Sequence, residues 1–302
     1  MKRKTLKRHM KKTITIVTLF VSGFLAGTLL SGQAKAQEGP SSLLWKIEGK
    51  GLKKPSYLYG TIHLICPDDF FVSDATTKAL DNVEQVVLEL DMDDPQMAMK
   101  MQQLSLNEGM KNISAEMSEE DAQVINDFLK ANYGVDLTQL GVVKPFALLS
   151  MVLLKSINCD QPASYETTLV QEASKRELEV LGLETVEFQM GLFDDIPREE
   201  QISWLVETIS EREETLDEFN RMVKAYKSQD LKALFDVILQ NDQFADYADP
   251  LLYQRNENWI SKIGELVKDK PTFIGVGAGH LASDKGVVAL LRKEGYKVSP
   301  VL

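Results

Sequence analysis

Two of the three histidines in this chain close the same four-residue motif, Gly-x-x-His. They are His63, in GTIH, and His280, in GAGH. A histidine that follows the carboxyl end of a strand projects into the crevice where α/β sheets hold ligands, and glycine lets the backbone turn tightly there. The matched pair therefore predicts two imidazoles at one site, in preference to two separate structural histidines.

A carboxylate in an apolar run is the third candidate. Glu89 lies within VVLEL, residues 86–90, and a buried charge is costly unless it meets a cation, a metal or a hydrogen-bond donor. Asp91, two residues further along, points to the same side of a strand and competes for this role. The open alternative is an edge strand whose Glu89 faces water.

Two histidines and one carboxylate form a ligand set that suits a divalent metal ion. The sequence predicts a metal site at His63, Glu89 and His280, holding Mn, Co or Zn. Such a metal lowers the pKa of bound water and polarises a carbonyl group, which is the chemistry of hydrolysis.

Two further residues are predicted to be catalytic. Glu184, at the end of another predicted strand, is the candidate acid or base, and Glu166 in SYETTL is a weaker candidate for that role. Arg255 is expected to stabilise developing negative charge or to pair with a carboxylate. A surface or helix-capping role is the open alternative for each of them.

The elements that must position these residues alternate between strands and helices. Apolar runs predict six strands, at residues 44–48, 56–59, 85–90, 178–183, 272–276 and 296–301. Helical patterns with capping signals fill the connections, including a last helix from Ser283 to Glu294. The pattern predicts an α/β (mixed α+β) fold, with a central β-sheet, flanking helices and a large helical insertion.

The chain divides into a leader and one predicted domain. Residues 1–36 join a basic start to an apolar run and end in Ala-Lys-Ala, which predicts a cleaved signal peptide and export to the periplasm or the extracellular space. A retained N-terminal membrane anchor is the alternative. Residues 37–302 form the predicted domain, with helical insertions at about 94–160 and 190–268.

Charge and motif content exclude several classes of protein. Removing residues 1–36, which hold eight Lys or Arg and no Asp or Glu, takes the net charge from −11 to −19. Nucleic-acid binding is disfavoured, because phosphates require basic patches. Residues 275–280, GVGAGH, do not complete the GxGxxG of dinucleotide-binding proteins, and the chain lacks HExxH and GxSxG.

The two cysteines, Cys66 and Cys159, both lie in the predicted domain. In an oxidising compartment they are expected to pair, with two separate buried thiols as the alternative.

The segments YLYGTIHL, VVLELD, VLGLETVEFQ, RNENW and VGAGHL together resemble the TraB/GumN family, also called TraB/PrgY or TIKI-like. This family is similar in fold to EreA-like erythromycin esterases and ChaN-like proteins, and the resemblance spans nearly all of the predicted domain. It implies a metal-dependent site at His63, Glu89 and His280, with Glu184 and Arg255 as neighbours. It also implies proteolysis, since relatives among animals are proteases that trim secreted signalling proteins.

The leading hypothesis is therefore an exported metal-dependent hydrolase, a metallopeptidase that acts on peptides or secreted proteins. The alternatives are a non-catalytic protein that sequesters a peptide or pheromone, and an esterase similar to the erythromycin-esterase group. A peptide or protein substrate is the expected partner, and an uncleaved leader would tether the protein to a membrane. The sequence leaves the oligomeric state open.

Overall fold

The computed structural model describes residues 41–157, 159, 161–241 and 245–302. The predicted leader, residues 1–36, and its cleavage lie outside the described residues. No helix in the described part of the chain combines the length and the apolar character that crossing a bilayer requires.

One mixed sheet of six strands organises the described residues, in the order β4-β3-β5-β2-β1-β6. The strands are β1 (Leu44–Gly49), β2 (Ser56–Thr61), β3 (Gln85–Leu88), β4 (Glu179–Gly182), β5 (Thr272–Gly277) and β6 (Tyr296–Pro300). β1 pairs antiparallel with β2 and β6, whereas β2, β5, β3 and β4 run parallel to one another. The predicted mixed α/β fold with a central sheet is confirmed.

The parallel strands at the centre are built from apolar runs, as expected for strands that are buried on both faces. All four residues of β3, QVVL, are buried, and so is every residue of β5, TFIGVG, except the last. β5 lies between β2 and β3. The central sheet therefore joins strands from both ends of the domain.

Helices fill the connections between these strands. In chain order they are α1 (Asp74–Leu80), α2 (Met97–Leu104), α3 (Glu119–Tyr133), α4 (Leu137–Leu140), α5 (Pro145–Ser156), α6 (Tyr165–Lys175), α7 (Val186–Asp194), α8 (Arg198–Ser210), α9 (Arg212–Lys227), α10 (Leu231–Gln240), α11 (Gln254–Asp269) and α12 (Val287–Lys293). A π-helical turn at Asp249–Tyr253 leads into α11, and a short 3-10 helix at Ala278–His280 follows β5. Polar side chains that accept a backbone N–H begin several of these helices, at Ser73, Ser118, Ser164 and Thr185.

The last helix is shorter than predicted. It begins at Val287 and not at Ser283, because Ser283 has a φ of 72°, in the left-handed region that a right-handed helix excludes. The predicted start of this helix is therefore wrong.

Two long helical segments separate β3 from β4 and β4 from β5. The predicted insertions, 94–160 and 190–268, fall within these segments. Part of the helical region has a core of its own, in which α3 and α5 pack against α8. Its buried residues are Ile113, Ile125, Leu129, Leu137, Leu148, Leu149, Val152 and Leu205.

A disulfide joins Cys66 to Cys159, with the two Cα atoms 5.8 Å apart. This confirms the predicted pairing. Beside it, Ile65 and Ala163 form an antiparallel bridge in which each backbone N–H donates to the other residue's carbonyl, at 3.1 and 2.8 Å. The segment after β2 is thus joined to the segment before α6 by one covalent bond and two hydrogen bonds.

Gly60, at the start of the first histidine motif, lies against the second. A Cβ atom placed on Gly60 would lie 2.8 Å from Leu281 Cδ1 and 3.0 Å from Ala278 Cβ. We expect Gly60→Ala to lower the free energy of unfolding by about 1–3 kcal/mol, because the added methyl overpacks a filled core. Urea unfolding measures the change.

The matched control is Gly191, within α7, where an added Cβ would meet no described atom within 4 Å beyond its chain neighbours and the backbone of its own helix. Gly191→Ala should raise the free energy of unfolding by up to about 1 kcal/mol, since alanine has the higher helix propensity. Equal effects of the two substitutions would contradict the close contact at Gly60.

Candidate functional site

Each of the four parallel strands ends just before one of the predicted site residues. His63 follows β2, Glu89 follows β3, Glu184 follows β4 and His280 follows β5. Because parallel strands present their carboxyl ends at one edge of a sheet, all four residues lie along the same edge, where α/β sheets bind ligands.

Glu89 is the first residue after β3, not a residue inside the strand as predicted. Its side chain is buried, and Oε1 accepts the backbone N–H of Gly277 at 2.7 Å. Oε2 accepts Arg255 Nη2 at 2.6 Å and Gln189 Nε2 at 3.1 Å. Although burial acts to raise it, the charge of His280, which is protonated only in acid, and the charge of Arg255 lower the pKa of Glu89 to about 2. The predicted need of this carboxylate for donors and a cation is thus met by protein groups.

Asp91, the competing carboxylate, is in a different environment. Its Oδ1 is buried and has no hydrogen-bond partner among the described residues. Burial, with the neighbouring carboxylates of Asp93 and Asp94, raises the pKa of Asp91. Of the two candidates, Glu89 is the one in contact with Arg255.

Arg255, in the first turn of α11, is only 7% exposed and is the cation at the centre of a cluster of contacting side chains. The other members of this cluster are Glu89, Glu184, Gln189, Asn256, Trp259 and His280. Besides Glu89, Arg255 pairs with Glu184 through Nε, at 2.9 Å from Oε1, and through Nη2. Its Nη1 donates to the Leu251 carbonyl at 3.0 Å, and its guanidinium lies 4.9 Å from the ring centre of Trp259. Burial acts to lower the pKa of Arg255, but the two carboxylates raise it. Of the two roles predicted for Arg255, the structure places it as the partner of carboxylates.

Glu184 is as buried as Arg255, with its side chain 6% exposed. In addition to Arg255, Trp259 Nε1 donates to Oε2 at 3.0 Å and Gln189 Nε2 donates to Oε1 at 3.1 Å. Both of its oxygens are therefore held by protein donors. The surface and capping alternatives do not describe this residue, and its acid or base role stays a prediction.

His280 is buried, at 4% exposure, and both of its ring nitrogens have partners. Nδ1 lies 2.6 Å from Asn256 Oδ1, and Nε2 lies 3.1 Å from Arg255 Nη1. The Asn256 amide is oriented by its Nδ2, which donates to the Lys285 carbonyl at 2.9 Å. Since Oδ1 only accepts and a guanidinium only donates, the proton of neutral His280 is on Nδ1. Burial lowers the pKa of His280 to about 3, despite the nearby Glu89 carboxylate, so the ring is neutral at pH 7.

His63, in contrast, has a side chain that is 70% exposed. Its Nδ1 lies 3.0 Å from Oε1 of Glu166, a carboxylate that is only 14% exposed. Although desolvation acts to lower it, the hydrogen bond and charge of Glu166 raise the pKa of His63 to about 9. Glu166 is thus the partner of His63, and this contact brings the weaker of the two predicted acid or base candidates to the site.

The three predicted metal ligands meet at the backbone of Gly277. A Cβ atom placed there would lie 3.4 Å from Glu89 Oε1, 3.5 Å from His280 Cδ2 and 3.8 Å from His63 Nε2. Only glycine leaves this space open between the three side chains.

The chemistry of these donors fits a divalent ion, but their present arrangement is not that of a metal site. Among the described residues, no group of three or more His, Cys, Asp or Glu side chains is placed to hold a metal ion. Arg255 donates to His280 Nε2 and to Glu89 Oε2. Metal binding through His280 Nε2 therefore requires the contact of Arg255 with this atom to open.

Three residues of the cluster were not predicted from the sequence: Gln189, Asn256 and Trp259. A signal for two of them lies in α11, whose first turns carry Arg255, Asn256 and Trp259 on its buried face. Polar residues on the buried face of an amphipathic helix require partners. Gln189 lacks such a signal, because it lies between the buried residues Val186 and Met190 of α7 in an ordinary amphipathic pattern.

Comparisons with known proteins agree with these motifs. The TraB/PrgY/gumN family matches residues 43–300. The chain is 21% identical to Metalloprotease TIKI2 of Xenopus tropicalis over 322 residues, which covers 88% of this chain and 61% of that protein. It is also 21% identical to Metalloprotease TIKI2 of Danio rerio, over 87% of this chain and 61% of that protein.

The chain thus spans about three fifths of the length of the curated relatives it matches. No solved structure matches it. The family match extends from the first strand to the last and includes both histidine motifs, so this chain belongs to the TraB/PrgY/gumN family.

Proposed function

We propose that this protein is an exported metal-dependent hydrolase that acts on peptides or secreted proteins. The observation that carries the proposal is the state of the two imidazoles. In each of them Nδ1 is engaged by a side-chain oxygen, from Glu166 at His63 and from Asn256 at His280. Metal-ligating histidines have this pattern, in which a neighbouring acceptor holds Nδ1–H and Nε2 faces the metal. Because Glu166 raises the pKa of His63 to about 9, metal binding would release the proton of its Nε2.

The ligand set in this proposal is Nε2 of His63 and of His280 with the carboxylate of Glu89. Their convergence on the open space at Gly277 supports it. A divalent ion held there, Mn, Co or Zn, would supply acidified water and a polarised carbonyl group.

The remaining roles belong to residues of the chain. Arg255, once it releases His280, presents an N–H donor toward negative charge that develops on the substrate. Glu184, which accepts from Arg255 Nε and from Trp259, keeps the guanidinium anchored during that change. We propose this anchoring role beside the predicted acid or base role of Glu184.

Three features support a peptide or protein substrate outside the cytoplasm. Both relatives are named as metalloproteases. The leader predicts export. The disulfide between Cys66 and Cys159 is of the kind that persists in oxidising compartments.

A second candidate, a metal-independent esterase, is favoured by one observation. Arg255 contacts Nε2 of His280, the atom that a metal would use, and also holds Oε2 of Glu89. The exposed His63, paired with Glu166, would then be the group that transfers a proton to or from the substrate.

The test uses the full chain produced in an exporting bacterial host. After treatment with a chelator, the protein is incubated with a peptide library, alone and with Mn, Co or Zn added back. We expect cleavage to stop on chelation and to return with one of these ions. That ion should also increase the free energy of unfolding, by about 2.7 kcal/mol at one hundred times its Kd. A higher unfolding temperature in the presence of the ion shows this effect.

Two other results of this test would support the alternative functions. Cleavage of esters that survives chelation supports the esterase. Stabilisation by a metal or a peptide without turnover supports the sequestering protein. Either result overturns the proposed metallopeptidase.

A further inference from the structure

The structure also shows how the exposed histidine of the site is held. We infer that Glu166 is a positioning residue for His63, and that the Cys66–Cys159 disulfide clamps together the two segments that carry this pair. The effect of Glu166 and the disulfide on catalysis rests on the proposed function, whereas their effect on the geometry of His63 does not.

The hydrogen bonds of Glu166 suit a positioning role better than a catalytic one. Oε1 accepts from the Thr61 hydroxyl at 2.7 Å and is bonded to His63 Nδ1 at 3.0 Å, while Oε2 accepts from the Ser164 hydroxyl at 3.1 Å. With its side chain 14% exposed, the carboxylate reaches the site through His63. Although burial acts to raise it, the bond and charge of His63 lower the pKa of Glu166.

His63 needs such a partner because its side chain is 70% exposed. An exposed imidazole without a fixed hydrogen bond exchanges between rotamers, and ordering it costs conformational entropy. The bond from Nδ1 to Glu166 selects one ring orientation, in which Nε2 lies near Gly277.

The disulfide adds a covalent constraint to the same two segments. Cys66 lies three residues after His63, and Cys159 lies in the segment that leads to Ser164, the N-cap of α6. Between these points the Ile65–Ala163 bridge adds two backbone hydrogen bonds. Glu166 and His63 are far apart in sequence, so their contact depends on this clamp.

The geometry of His63 is measured by the imidazole N–H signals of the full chain labelled with ¹⁵N-histidine. An N–H held by a carboxylate or an amide oxygen exchanges slowly and is visible, whereas an exposed free N–H is lost to exchange. We expect two slow signals, from His63 and His280, assigned by His63→Gln and His280→Gln. In Glu166→Ala the His63 signal should vanish while the His280 signal stays.

The control is Glu172→Ala, on the same helix, where Glu172 pairs with Lys175 and Arg176 at the surface. It should keep both signals. A His63 signal that survives in Glu166→Ala would overturn the positioning role.

Reduction of the disulfide, or a Cys66→Ser/Cys159→Ser double variant, should weaken or remove the His63 signal. The His280 signal reports whether the fold is intact, since it depends on Asn256 and not on the clamp. A His63 signal unchanged by reduction, with the thiols shown to be free by mass, would overturn the clamp.

In the hydrolase, Glu166→Ala should lower metal affinity or kcat/KM by about 10–100-fold, the usual cost of losing the hydrogen-bond partner of a metal-ligating histidine. If no metal supports turnover in the unmodified chain, the proposed function fails. The imidazole N–H signals of His63 and His280 still test the positioning role in that case. If turnover is found and Glu166→Ala leaves the His63 signal and kcat/KM unchanged, the positioning role fails by itself.

Discussion

Replacing His63 by alanine is expected to lower kcat/KM by at least about a thousandfold while leaving the fold nearly as stable as before. The loss follows from the several kcal/mol that a bound metal supplies to the transition state. The stability is largely spared because the His63 side chain is 70% exposed, and because the hydroxyls of Thr61 and Ser164 still donate to Glu166 when His63 is removed. Peptide cleavage and urea unfolding measure the two effects.

The same substitution at His280 should cost both activity and stability. His280 is 4% exposed, and its loss leaves a cavity and an unpaired Asn256 oxygen, which we expect to cost about 2–4 kcal/mol. Asp68→Ala, on the exposed segment after Cys66, is the control and should change neither quantity. Full metal binding and turnover in both histidine variants would refute the proposed site.

Arg255→Met should be the most destabilising single substitution in the cluster, at about 3–5 kcal/mol. It leaves Glu89 and Glu184 buried without their cation, and an uncompensated buried charge costs that much. Chemical denaturation of the purified chain measures the loss. Adding Glu184→Gln to the variant should restore part of it, because one of the two stranded charges is removed.

The comparison variant is Arg176→Met. Arg176 pairs with Glu172 and Asp81 near the surface and should contribute about 1 kcal/mol or less. If Arg255→Met cost no more than this, the buried pairs at the site would not have the strength that their geometry implies.

The strands and their order of appearance could be predicted because their signals are local. β3 and β5 are apolar runs that fit only buried strands, and the motif residues follow each run directly. Since ligand sites lie at the carboxyl edge of parallel strands, placing His63, Glu89 and His280 near one another needed only the sheet.

The contacts of Arg255 and Glu166 could not be predicted in the same way. Arg255 meets Glu89 only because α11 packs its first turn against the ends of β3 and β4, and no local pattern encodes that docking. Glu166 lies in the first turn of a helix, where a carboxylate is ordinary, so its contact with His63 is not signalled by its position in α6.

The place of β5 in the sheet has a consequence for the order in which the candidate site assembles. β5 is the fifth strand along the chain, yet it lies between the second and third strands, and it carries Gly277 and leads to His280. A growing chain that ends before residue 272 has β2 and β3 but not the strand that joins them. The strand ends at His63 and Glu89 therefore lack the strand that lies between them until β5 has been made. The candidate site can assemble only after residues 272–280 have joined the sheet.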